Sequence, residues 1–247
     1  MLDKLKLRHL EAITQEKIDY ASLMVDIYGY KNNWLGKKLM FLKLFAKTYS
    51  LVEEAKDIDP AKIEFDPEAC NIKCPQNIDT ITFAAMMEIH SLMDSKQNRD
   101  IGDLMAEQIA IACYSENNEG NFDKDTLEYK NFKTHIDNSP AISMIGLYNH
   151  IYRQVLASAK MWQERFLSVQ VEDKDYENAG GKRMGQFNVI TTIKNICNDF
   201  NVSYEQAWQL SYALTQTNSY SKATEAHIQK RMSDIKEDRM KRERKAS

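Results

Sequence analysis

Glycine and proline are scarce in this chain, at eight and four of 247 residues. A β-sandwich or barrel needs frequent tight turns, so this scarcity points to helices. No apolar run approaches the roughly 18 residues of a transmembrane helix, and none is expected. The opening, MLDKLKLRHLEAITQ, carries charges throughout and lacks the apolar core of a signal peptide, so a cytoplasmic setting is expected. Catalytic patterns are missing as well. There is no H-E-x-x-H, no G-x-x-x-x-G-K-[ST] and no G-x-S-x-G. GGKRMG at 180–185 comes nearest to a phosphate loop. It lacks an apolar strand before it and a Ser or Thr after its lysine, and reads as a hinge. A di-iron bundle needs E-x-x-H pairs. Glu88 and Glu225 each precede a histidine by only two positions, which puts the two side chains on different helix faces. No catalytic residue, metal ligand or cofactor site is expected, and the chain reads as a non-enzyme.

Cysteine is also sparse. Cys113 and Cys197 fall within apolar helical patterns and read as buried thiols. Cys70 and Cys74 form a C-x-x-x-C in a loop, but a structural zinc site asks for a second close pair that the sequence does not supply. Two reduced loop thiols are expected.

What is present is helical periodicity. Hydrophobic content of 43% and charged content of 28% are those of a globular protein able to bury a real core. The longest uninterrupted pattern spans residues 140–169. Ser139 is its expected N-cap and Pro140 its first helical residue. Ile142, Ile145, Ile151, Val155, Trp162 and Phe166 recur along it at three-and-four spacing. Further helices are expected at 3–28, with a break near Thr14, and at 37–56, 80–93, 101–115, 123–135, 187–200, 203–214 and from 219 onward. Ser203 and Gln206 make a capping box ahead of the 203–214 helix. Residues 29–36 should turn. Residues 57–79 hold three of the four prolines and read as a loop, with Ile63, Phe65 and Ile72 apolar enough to lie in a surface groove. Residues 172–186 hold three glycines and a mixed charge run, and read as a mobile linker. The fold class is therefore all-α: an array of about eight or nine helices around a long central helix, ending in a basic C-terminal helix. The expected division is a main domain at 1–171 with loop 57–79 inside it, a linker at 172–186, and a C-terminal segment at 187–247.

The net charge of -3 hides an asymmetry: residues 222–245 carry nine Lys or Arg against five Asp or Glu. Such a tail suits nucleic acid or an acidic protein surface, or is simply a solvated helix. Its apolar stripe of Ala223, Ala226, Ile228, Met232 and Ile235 is too sparse to stabilise a lone helix and asks for a partner. A helix-turn-helix reading of 190–214 lacks the Lys or Arg that a recognition helix offers at its start. Met86, Met87, Met93 and Met105 cluster on the 80–93 and 101–115 helices, as core or as an adaptable binding face.

Four segments carry a resemblance: LKLRHLEAIT at the start, NIDTITFAAMMEIHSL in the middle, AISMIGLYNHIYRQVL in the long helix, and FNVITTIKNICNDFNVSYEQAWQLSYALTQ near the end. Their order resembles the tail-assembly chaperones and related morphogenesis proteins of tailed bacteriophages. The long 57–79 loop and the basic tail depart from the short members of that group. The resemblance implies a non-enzymatic role in binding other virion proteins, such as a tape-measure or tail protein, in the host cytoplasm or within the virion. The expected partner-contact residues are Trp34, Met86, Met87, Trp208 and the basic set Lys230, Arg231, Arg239, Lys241 and Arg242. The alternative function is nucleic-acid binding, in regulation or packaging, through the basic C-terminal helix.

Overall fold

Helix is the only regular secondary structure among the described residues, which in the computed structural model are 5–9, 23, 26–27, 49, 59–94, 101–119, 122–170 and 188–246. Seven α-helices occur there: α1 (Phe83–Asp94), α2 (Ile101–Asn117), α3 (Leu127–Asp137), α4 (Ala141–Ser168), α5 (Asn188–Phe200), α6 (Tyr204–Trp208) and α7 (Tyr212–Ala246). The protein is thus predominantly α-helical. The helices expected at 3–28 and 37–56, the turn at 29–36 and the linker at 172–186 fall mostly or wholly outside the described residues.

The chain divides into two compact units. The first comprises Met1–Ile78 and Met87–Gln154, the second Asp79–Met86 and Val155–Ser247. The division passes within α4, whose 28 residues match the long periodic run read from the sequence.

In the first unit the core is built from Leu7, Ile109, Ile111, Ile136, Met144, Leu147 and Ile151, all fully buried. Helix α2 is buried around nearly its whole circumference from Met105 to Tyr114, Glu107 and Gln108 included. Helix α3 begins at Leu127 and not at the expected 123. The Asp123 carboxylate accepts from the Asp125 N–H at 2.9 Å and turns the chain. Thr126 then caps the helix through the Tyr129 N–H. The 59–66 loop lies along α4. The Asn149 side-chain amide donates to the carbonyls of Pro60 and Ile63, at 2.7 and 3.0 Å. Phe65 stacks on His150 with ring centroids 4.9 Å apart. Ile72 is buried. The loop is thus held on the surface of α4 by Asn149 and Phe65.

In the second unit, α5 ends at Phe200, and Asn201 follows with φ 51°. Asn tolerates this left-handed conformation better than most residues. The turn lets the Val202 N–H donate to the Cys197 carbonyl at 3.2 Å. The capping box of Ser203 and Gln206 forms as the sequence predicts. Helix α6 then stops after five residues. The expected 203–214 helix is in fact broken at 209–211, and the chain restarts as α7, a single 35-residue helix.

Backbone pairing explains both this break and a second departure. Thr82 and Ser211 form an antiparallel bridge: the Phe83 N–H donates to the Leu210 carbonyl at 2.7 Å, and the Tyr212 N–H to the Ile81 carbonyl at 2.8 Å. Two helix starts, α1 and α7, thereby satisfy an otherwise orphaned first-turn N–H. The Thr82 hydroxyl receives the α1 first-turn N–H of Ala85 at 3.2 Å, two residues past the expected start at 80. The first unit carries the same device. Lys6 bridges Pro140, with Leu7 N–H to Ser139 carbonyl at 3.1 Å and Ala141 N–H to Leu5 carbonyl at 2.6 Å. The Ser139 hydroxyl points backward and donates to the His135 carbonyl at 2.9 Å, so Ser139 is not the side-chain cap of α4.

Candidate functional site

An open apolar groove of about 440 Å³ lies in the second unit, between the end of α4 and the middle of α7. Phe166, Leu167 and Val169 form one wall; Ala223 and Ala226 form the other. The alanines are too small to fill the space between the helices. Phe166 is fixed by an edge-on contact with Tyr220 at 5.9 Å and a tilted one with Trp162 at 6.5 Å. The Arg165 guanidinium sits 4.8 Å from the Trp162 ring centre, a cation–π contact that holds the last turn of α4. Beyond that turn, the Val169 N–H still bonds the Phe166 carbonyl at 3.2 Å, so the wall extends past the helix end. Leu167 is 60% exposed, an apolar side chain held at the groove mouth. Gln163 and Gln170 bring the amides at its rim. This chemistry accepts an apolar segment of another molecule; the groove lining holds only apolar side chains and two amides.

The expected contact residues fall in different places. Met86 is 0% exposed and belongs to the core, so it offers no surface to a partner. Met87 is half-buried. Trp208 is half-buried too, with its ring 5.4 Å from that of Phe83 and 6.1 Å from that of Tyr204. Trp34 lies outside the described residues. Lys230, Arg231, Arg239, Lys241 and Arg242 come together on one exposed helix. Two of them are engaged along that helix, Lys230 with Asp234 at 3.4 Å and Lys241 with Glu237 at 2.6 Å. The groove itself escaped the sequence reading except through Ala223 and Ala226, whose small size within a charged helix is its one signal.

Ionisable clusters elsewhere are structural ties of the first unit. Lys124 joins Glu88 and Glu107, and Lys133 joins Asp103 and Asp137. Burial alone would push the Lys124 ammonium down, but its hydrogen bonds to the two carboxylates outweigh this and hold it above the usual lysine range. In the second unit Asp79 accepts from the Ser158 hydroxyl. Burial, aided by the Asp79 charge, pushes the Tyr212 phenol up to about 12. Among the described residues, no group of three or more His, Cys, Asp or Glu side chains is placed to hold a metal ion.

Three thiols of the first unit differ in chemical character. The side chain of Asn117, near the end of α2, accepts from the Lys73 N–H at 3.0 Å and donates to the Lys73 carbonyl at 2.8 Å. It also donates to the Cys113 carbonyl one turn back, at 2.7 Å. This clamp sets Cys74 against Cys113. Hydrogen bonding with Cys113 pulls the Cys74 thiol below its ordinary range, and the same interaction, with burial, drives Cys113 well above it, while the Cys74 thiol also donates to the Pro75 carbonyl at 3.6 Å. Burial pushes Cys70 up as well. Alkylation of the folded chain near pH 7.5 is therefore expected to label Cys74 ahead of Cys70 and Cys113, with peptide mass spectrometry as the readout. Cys113→Ala removes this interaction and should move the pH profile of Cys74 labelling upward. Equal labelling of Cys74 and Cys113, or a profile unmoved by C113A, would contradict the pairing.

No known protein family, characterised protein or solved structure matches this chain. Among the described residues, no helix is long and apolar enough to cross a membrane.

Proposed function

We propose that the protein is a non-enzymatic assembly factor that binds an apolar helical segment of another protein, a chaperone of the phage tail or virion assembly type. The observation that carries this reading is the open groove walled by Phe166, Leu167, Ala223 and Ala226, with Leu167 exposed at its mouth. Apolar surface kept out of the core and rimmed by amides marks a binding groove, and a helix laid in such a groove is a recurring recognition mode. The four segments that resemble phage morphogenesis proteins suggest the client: a tape-measure or tail protein made in the same cell.

The test is co-expression with candidate tail proteins from the same source, scored by soluble client recovered. Leu167→Asp, or Ala226→Trp to fill the groove, should lower client recovery on the order of tenfold, the loss of one apolar anchor. Client recovery unchanged by both variants would reject the groove as the binding site. A second reading, nucleic-acid binding, rests on the exposure of Arg231, Arg239 and Arg242 along α7. Retention on nucleic acid that falls steeply with salt and disappears in the R239E/R242E variant would favour it.

A further inference from the structure

We propose that the C-terminal part of α7 pairs antiparallel with the same segment of a second copy of the chain. Every residue from 228 to 243 is exposed. Among them Ile228, Met232 and Ile235 are 51%, 53% and 65% exposed, and successive gaps of four and three put them on one line along the helix. An isolated helical stretch of this length is marginal in water, and burial of such a stripe is what normally sustains it. Extended in the same spacing, the line continues through Glu225 at one end and Arg239 and Arg242 at the other. Charges beside it are Arg231 and Asp238 on one flank and Lys236 and Glu243 on the other.

Those charges choose the partner and its direction. Parallel pairing of two copies stacks Glu225 on Glu225, Arg239 on Arg239 and Arg242 on Arg242. Its flanks set Arg231 by Lys236 and Asp238 by Glu243, so every charged contact repels. Antiparallel pairing about a two-fold axis between residues 233 and 234 removes each of these repulsions. Met232 meets Ile235, and Ile228 meets the aliphatic stem of Arg239. Glu225 faces Arg242, Arg231 faces Asp238, and Glu243 approaches Lys222, which also holds Asp199 at 2.7 Å. Every charged contact in this register attracts. The pairs Lys230–Asp234 and Lys241–Glu237 lie on the opposite side of the helix, satisfied within one copy and out of the way. One segment thus complements itself in one orientation and opposes itself in the other, which is how flanking charges set orientation in paired helices.

Sedimentation equilibrium of the full chain is the test, at low and high salt. Self-association is expected with a dissociation constant on the order of 10 µM at low salt, weakening as salt is raised. Ile235→Glu should leave the chain monomeric. Glu225→Arg, which opposes Arg242 in the antiparallel register, should weaken association on the order of tenfold, and E225R/R242E should restore it. Restoration is specific to antiparallel self-pairing, and it shows that E225R is compatible with the fold. A chain that stays monomeric up to 100-fold above that concentration overturns the proposal, as does a dimer indifferent to I235E or a double variant no better than E225R. Leu167→Asp should leave self-association untouched, so failure here and failure of the groove reading remain separate results.

Discussion

Replacing Phe83 by alanine is expected to destabilise the protein by about 3–5 kcal/mol, the range for deleting a buried aromatic side chain. Phe83 is 2% exposed, with its ring 5.4 Å from that of Trp208 and 6.2 Å from that of Tyr212. These partners belong to α6 and α7 and meet Phe83 at the bridge where α1 starts, so one ring fixes three helix ends of the second unit. The backbone bond from Phe83 N–H to the Leu210 carbonyl survives the substitution, and the loss is one of packing alone. Urea unfolding read by tryptophan fluorescence measures it. A loss below about 1 kcal/mol would mean that the aromatic cluster contributes little.

Gly146→Ala is the second large effect, and its sign is the diagnostic. Inside a helix, glycine to alanine usually stabilises by up to about 1 kcal/mol. Here a Cβ at Gly146 would stand 2.5 Å from the Glu64 carbonyl oxygen and 3.3 Å from the Phe65 Cα. The obstacle is backbone, held by the Asn149 amide through the Pro60 and Ile63 carbonyls just ahead of the contact, and it has no flexible side chain to swing aside. The substitution is expected to cost about 1–3 kcal/mol, typical of overpacking, and to speed exchange of amide protons in residues 60–66. A stabilised G146A variant would show that the 63–65 segment moves off α4 at no cost.

The helical class was legible because apolar spacing is a local signal, and so were the limits of α4 and α5 and the Ser203–Gln206 capping box. The misreadings share a cause. Nothing near Gln209 marks a helix end; α6 stops because residues 210–212 pair with residues 81–83, far back in the chain. Ser139 looked like a cap for the same reason: its neighbours find their partners at residues 5–7. From the sequence Met86 is a possible contact because a methionine pattern is the same in a core and in a binding face. The groove was the hardest to see, since it is defined by what two alanines leave empty across from Leu167. The thiol pairing was hidden likewise, because Cys74 meets Cys113 only through the Asn117 clamp.

The two bridges also fix an order of events during synthesis. Read along the chain, their halves alternate: residues 5–7, then 81–83, then 139–141, then 210–212. A chain emerging from the ribosome cannot close the first bridge until residue 141 is out, and residues 81–83 must wait unpaired until residue 212 has followed. The first unit, whose last residue is 154, can close while residues 79–86, which it surrounds in sequence, still wait for the rest of the second unit to be made. A nascent chain halted before residue 210 holds the start of α1 with its cross-chain partner still unmade, at the stage when an apolar helix is most exposed to aggregation.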